Sequence, residues 1–204
     1  HRRRADLDLD RLLKATDEFL TLLADFGKFV KPSLSEMRSC LRKLDEGRRH
    51  LSLGAKQRRS LRCVLEAERA MQMHGRGGVL ADPSCAMGAL WVRRGLHLWA
   101  DVFEQQARAL RSGPGGGDFR QQIQRAYVRL VRRYHGWVSR RAFGCAQTIT
   151  PGWAEVRVRA PWLGASDAAL QAELKAWADS ASGVVAQLAR LQARLDLEDT
   201  RMPL

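Results

Sequence analysis

Apolar positions recur at helical spacing along nearly the whole chain. Between residues 7 and 30, Leu12, Leu13, Phe19, Leu20, Leu23 and Phe26 share one helical face, and Pro32 predicts the end of that run. Ser33 and Ser35 with Glu36 predict the start of a second helix, whose apolar stripe is Met37, Leu41 and Leu44. A third helix is expected over residues 61–73, closed by Gly75, Gly77 and Gly78. Asp82-Pro83-Ser84 predicts the start of a long helix reaching about Leu110. Ser112-Gly113-Pro114-Gly115-Gly116-Gly117 is a loop. Asp118 caps a further long helical region expected to run to Thr150, where Pro151-Gly152 stops it. Val156-Arg157-Val158-Arg159 alternates like a strand but has no second strand to pair with, so residues 153–164 are expected to be irregular or a short helix. Ser166-Asp167 caps a last helix from residue 168 to about 197. No internal repeat is visible. The pattern predicts six to eight helices in one all-α domain over residues 1–204, with residues 1–6 as a disordered tail or a remnant of trimming.

A hydrophobic fraction of 45% is enough to fill a core, which argues against disorder. No apolar run approaches the roughly 20 residues of a membrane span, and no signal-peptide pattern opens the chain. His1 followed by Arg2-Arg3-Arg4 reads as a trimmed chain or a domain cut from a longer protein. The net charge of +13 favours anionic partners, either nucleic acid or the negative surface of a bilayer. The alternative for any single arginine is that it solvates a helix face. Cys40, Cys63, Cys85 and Cys145 are scattered without a Cys-x-x-Cys pair, so neither zinc-ligand spacing nor a disulfide framework fits. Free thiols in a reducing compartment are expected, which suggests a cytoplasmic protein. The glycine-rich loop has no following Lys-Ser/Thr and no preceding strand, so it does not resemble a phosphate cradle. No paired carboxylates, Ser-His-Asp set or metal-spaced His/Cys set is present. No enzyme activity, cofactor or metal is expected.

Two segments carry the candidate chemistry. Leu90-Trp91-Val92-Arg93-Arg94-Gly95-Leu96 and Tyr134-His135-Gly136-Trp137 each place aromatic rings beside cationic or polar groups in helix-forming sequence. An indole face packs against the C–H side of a sugar while the hydroxyls reach polar partners. The bland readings are that Trp91 is a core aromatic and His135 a satisfied, partly buried histidine. Gly136 beside His135 would let a bulky group approach.

These segments, in this order and on a helical background, resemble the glycolipid transfer protein family over about residues 19–197, most strongly at 90–96 and 134–143. The resemblance implies a two-layer sandwich of about eight helices that takes lipid chains between its layers. It further implies a protein that moves glycosphingolipids between membranes without chemical change. Family members read the polar head with an Asp-x-x-x-Asn-x-x-Lys set, a Trp and a His. Trp91 falls on the sugar-stacking Trp, and His135 on the His that bonds the ceramide amide oxygen. Glu36, Cys40 and Lys43 fall on the Asp, Asn and Lys. Glu36 keeps the acceptor, but a Cys40 thiol lacks the paired donor and acceptor of an amide. The family's C-terminal Tyr is also missing, with Leu197 at about its place. In the branch that carries ceramide-1-phosphate, basic residues stand where this chain has Cys40, Met87 and Trp91, so a sugar head is implied instead. The resemblance places Phe26, Leu98, Val102 and Phe143 in the lipid tunnel. It places Trp137, with Arg140, Arg141 and Trp153, against an anionic membrane. The implied molecule is a monomer, peripheral to membranes, with a glycosphingolipid ligand and no nucleic acid.

Two other readings keep part of this pattern. A basic helical module for nucleic acid draws on Arg48-Arg49, Arg58-Arg59 and Arg132-Arg133, although basic residues are spread over all helices rather than gathered on one. A lipid sensor without bulk transport would share the fold and the site.

Overall fold

The computed structural model describes residues 6–75 and 77–201. It is an all-α, two-layer helical sandwich, with nine α-helices among the described residues: α1 Leu9–Ala24, α2 Lys31–His50, α3 Ala55–Arg58, α4 Leu61–Ala70, α5 Cys85–Ser112, α6 Phe119–Leu130, α7 Trp137–Thr148, α8 Trp153–Arg159 and α9 Asp167–Arg194. The expected tail at residues 1–6 lies outside the described residues apart from Asp6, whose carboxylate accepts from the Ser60 hydroxyl. None of the described helices is long and apolar enough to cross a membrane.

The helix starts follow side-chain capping. Asp8, Ser60, Ser84, Asp118 and Ser166 each accept from a backbone N–H in the first turn of α1, α4, α5, α6 and α9. The start of α5 has a second clamp. The carboxylate of Glu68, 2% exposed, accepts from the backbone N–H groups of Cys85 (2.6 Å) and Ala86 (2.8 Å).

Helix α5 is the central element. It packs most extensively against α9, then against α2 and α6, while α1 packs on α2. Close approach of α5 to α2 depends on two glycines: a Cβ at Gly88 would lie 2.8 Å from the Cys40 carbonyl oxygen, and one at Gly95 2.7 Å from the Met37 sulfur. Trp91 lies between these two glycines on the same side of α5, so the approach that brings the helices together also sets the indole against α2.

Three expectations about boundaries change. Pro32 does not end the first helix. It sits in the first turn of α2, where a missing N–H costs no hydrogen bond, and the chain turns through a 3-10 segment at Lys28–Val30. The third helix stops at Ala70 rather than 73, with its turn closed by Met71. The helix expected from residue 118 to 150 is broken: a 3-10 turn, Arg132–Tyr134, precedes extended backbone at His135, and Gly136 opens α7. The apolar spacing continues across this break, so periodicity alone does not reveal it.

Arg48 and Arg59 knit the first helices together. Arg48 pairs with Asp10 and with Asp45 at 2.7 Å, and Arg59 pairs with Asp8 (3.2 Å) and Asp10 (3.0 Å). Part of the basic charge that suggested nucleic acid is therefore neutralised within the fold.

Candidate functional site

A cavity of about 280 Å³ opens between α2, α5, α6 and α7, with the Lys28–Val30 turn at its side. Most of its wall is apolar, including Met37, Leu98, Ile123 and Phe143; Glu36, Trp91, Arg94 and His135 meet on one part of it, and Ser33, Ser139, Gln147 and Thr150 add further polar groups. An apolar chamber with a few convergent polar groups is the usual form of a small-ligand site.

The break after α6 positions His135. With His135 extended rather than helical, its ring lies over Trp91, with centroids 5.4 Å apart and planes 26° from parallel. On its other side the Tyr127 hydroxyl lies 3.2 Å from Nδ1. Tyr127 is buried, and burial pushes its pKa up, so it keeps its proton and donates to Nδ1. Burial, with Arg94 and Arg140 nearby, also lowers the His135 pKa and favours the neutral ring. That network assigns the remaining proton to Nε2, which lies 3.9 Å from the Glu36 carboxylate. The gap is too long for a hydrogen bond. A donor and an acceptor therefore stand side by side without satisfying each other, an arrangement suited to the C=O and N–H of one amide. The Glu36 pKa is raised by desolvation, with Lys43 pulling it down.

Trp91 is half-buried and held from a second side. The Arg94 guanidinium lies 4.9 Å from its ring and 3.4 Å from the ring of Tyr134. Arg94 is only 7% exposed, and burial lowers its pKa to about 10.

A profile of the family described as glycolipid transfer protein (GLTP) matches residues 7–156. The chain belongs to the glycolipid transfer protein family. Solved structures of GLTP-fold proteins superpose on nearly the whole chain. Human ceramide-1-phosphate transfer protein with bound 12:0 ceramide-1-phosphate is 21% identical (TM-score 0.80), covering 98% of this chain and 92% of that one. FAPP2, whose structure is described as showing how it selects simple glycosphingolipids using the GLTP-fold, is 15% identical (TM-score 0.79), with the same coverages. The fungal glycolipid transfer protein HET-C2 is 14% identical (TM-score 0.77), covering 95% and 89%. At such identities these likenesses show the fold. Comparison with curated protein sequences returns no match.

Within this family framework, the head-group residues inferred from sequence separate into two sets. Glu36, Cys40, Trp91 and His135 line one cavity. Lys43 does not line it; its ammonium pairs with Asp82 at 2.5 Å, one turn further along α2. Cys40 is 4% exposed, and burial raises its thiol to about 12, so it remains neutral. Of the tunnel residues, Leu98 and Phe143 line the cavity, but Phe26 and Val102 do not. Phe26 is fully buried, with Trp99, Phe103, Phe119 and Trp153 around it at 6.0–6.2 Å between ring centroids. The α5 lining ends at Trp99, short of Val102, which is wholly buried in the core. Both residues are packed core in this structure, outside the cavity.

The surface residues also separate. Trp137 is 69% and Val138 72% exposed at the start of α7, and the Arg141 guanidinium lies 5.6 Å from the Trp137 ring. Arg140 is exposed, and its Nε donates to the Arg132 carbonyl at 3.3 Å. Trp153 is corrected. It is 5% exposed, and its indole N–H donates to Gln122 at 2.8 Å inside the α5–α6 core, so it cannot face a membrane. Tyr127 is not singled out by the sequence pattern, and Tyr134 is named there only as part of the His135 segment, without a role. They are the chain's only two tyrosines, and their closeness to His135 in sequence was the available signal.

Proposed function

We propose that this protein binds a glycosphingolipid and carries it between membranes as a single domain, without chemical change. The observation that carries this reading is the Trp91–His135 stack beside Glu36, on the wall of a mostly apolar cavity. Glu36 accepts the ceramide N–H and His135 Nε2–H donates to its C=O. The exposed part of the Trp91 face receives the sugar. The chain enters between α5, α6 and α7, past Leu98 and Phe143. Among the described residues, Arg94 is the one arginine or lysine lining the cavity, and Met87, Cys40 and Trp91 supply no charge for a phosphate head, which favours a sugar. At the bilayer, Trp137 and Val138 insert at the interface, with Arg140 and Arg141 over anionic lipid. Trp137 and Val138 open the same helix, α7, that covers the cavity. Four free cysteines suit a reducing compartment such as the cytoplasm.

The test is transfer of fluorescent lipids from donor to acceptor vesicles, with native mass spectrometry of the purified protein to identify any lipid carried. A monohexosylceramide is expected to move faster than ceramide-1-phosphate with the same acyl chain. Equal or faster transfer of ceramide-1-phosphate would sink the head-group reading, and binding without transfer would replace the carrier with a sensor.

A further inference from the structure

We propose that a second, polar recess between α5, α6 and α9 binds a phosphate monoester, separately from the lipid cavity. The recess holds about 230 Å³, and four arginines line it: Arg93, Arg94, Arg129 and Arg133. On the wheel of α5, Arg93 lies on the face turned away from Trp91, and Arg94 stands between the two, so the recess and the lipid cavity share one wall.

Charge accounting points to an anion. Among the described residues, Glu198 is the only carboxylate in the recess wall, and Arg93 holds both of its oxygens, one at 2.9 Å. Arg129 pairs with Asp101, which lies outside the recess. Among the described residues, no carboxylate comes within ion-pair distance of Arg94 or Arg133. Arg133 rests on Tyr134, with 4.6 Å between guanidinium and ring. Arg94 is 7% exposed and lies 3.4 Å from the same ring; one Nη donates to the Asp199 carbonyl, while its buried Nε has no partner. Glu198 and Asp199 act on Arg94 only through space, and a buried guanidinium with an unfilled donor and no direct ion pair is costly unless something supplies acceptors.

Two arginines that rest on one aromatic ring without a carboxylate partner match a particular ligand. A phosphate monoester carries about −1.5 to −2 charges at neutral pH and three strong acceptor oxygens, which suit guanidinium forks better than a singly charged diester or carboxylate does. Water takes about 30 Å³ per molecule in the liquid, so the recess has room for a phosphate ester and its solvating waters. Arg129 is 62% exposed at the side chain and Arg133 is also exposed, so the mouth is open to solvent. The monoester is either a free metabolite or the head of a lipid such as phosphatidic acid, whose chains would stay in the bilayer.

Calorimetric titration with glycerol 3-phosphate tests the site, with dimethyl phosphate as the diester control. Binding of the monoester and not of the diester is expected. Arg133→Ala removes an exposed side chain and should weaken glycerol 3-phosphate binding at least tenfold. Arg132→Ala, equally exposed but off the recess, should leave binding within twofold. Co-sedimentation with phosphatidylcholine vesicles containing phosphatidic acid or phosphatidylglycerol separates the sources. Preference for phosphatidic acid, lost in Arg133→Ala, assigns a lipid head; soluble binding without that preference assigns a free monoester. No heat with glycerol 3-phosphate and no vesicle preference overturns the proposal. Equal weakening by Arg132→Ala and Arg133→Ala also overturns it, because diffuse charge then accounts for the binding. Glycolipid transfer by the same variants is read separately, so failure of this site leaves the lipid reading standing.

Discussion

Trp91→Ala is the sharpest perturbation of the lipid site, because the indole touches the site on two sides and the fold on only part of its surface. The substitution removes the stack on His135 at 5.4 Å and the Arg94 contact at 4.9 Å. An aromatic pair is worth about 0.5–1.5 kcal/mol beyond its buried area, and a partly desolvated cation–π contact about 0.5–2 kcal/mol. Trp91 is only half-buried, so its loss from the fold should stay below the roughly 3–5 kcal/mol of a fully buried aromatic. A domain of this size should therefore stay folded, with its melting temperature lowered by several degrees. The ligand loses its stacking surface and, as the His135 ring is freed, part of the grip on its amide. A loss of about 1–3 kcal/mol in bound-state stability corresponds to roughly a five- to 150-fold fall in affinity. Intervesicular transfer of a fluorescent monohexosylceramide, measured beside a thermal melt of the same sample, reads both quantities. Transfer within twofold of the parent with an intact melt would show that Trp91 does not touch the ligand. Loss of the folded state would make it a core aromatic, as the bland reading has it.

Four further outcomes follow from the geometry. Replacing Cys40 with Asn should raise monohexosylceramide affinity several-fold, at about 0.5–1.5 kcal/mol per hydrogen bond gained, with little change for plain ceramide; a lower melting temperature without that gain means the amide is buried unpaired. The double variant Arg140→Ala, Arg141→Ala should weaken binding to phosphatidylserine-containing vesicles by about 2 kcal/mol, some thirtyfold, and remove much of its salt dependence; unchanged co-sedimentation refutes the docking face. Because the folded pKa of His135 lies below 6.5, its stabilising share is complete above that pH and falls as pH drops through it, while the raised pKa of Glu36 acts with the opposite sign, adding stability as its carboxyl protonates. His97, also lowered, shares the histidine's sign, so His135→Gln should flatten only part of the stability loss between about pH 7 and pH 5, and denaturant melts showing no flattening would contradict the assigned burial. Glu68→Ala removes two charged hydrogen bonds from the start of α5, about 1.5–3 kcal/mol each, and should cost about 3–6 kcal/mol of stability while Glu66→Ala, exposed one turn-face away, costs little; similar melts for the two would show that the clamp is idle.

Much of this protein is determined by its sequence alone, because local rules suffice. Helical periodicity reports which face is apolar, and a Ser or Asp before an apolar run can satisfy orphan N–H groups, so Asp118, Ser84 and Ser166 mark true helix starts, whereas Ser33 and Ser35 lie inside α2, which begins at Lys31 without a side-chain cap. The resemblance at 90–96 and 134–143 likewise rests on side chains that are read one at a time. What the tertiary structure decides are relations between elements. The break before α7 is invisible to periodicity, since the apolar spacing carries through it, yet only extended backbone at His135 sets its ring on Trp91. Gly88 and Gly95 are unremarkable on one helix and matter only because α2 comes within touching distance. Phe26 and Trp153 have the composition of tunnel and membrane residues, but neighbouring rings and Gln122 hold them in the core. Arg93 and Arg94 are adjacent in the chain, and the 100° turn between them sends one to Glu198 and the other against Tyr134. A sequence lists which groups exist; burial, partner and direction arise only when distant segments pack, because each is a property of the space between elements.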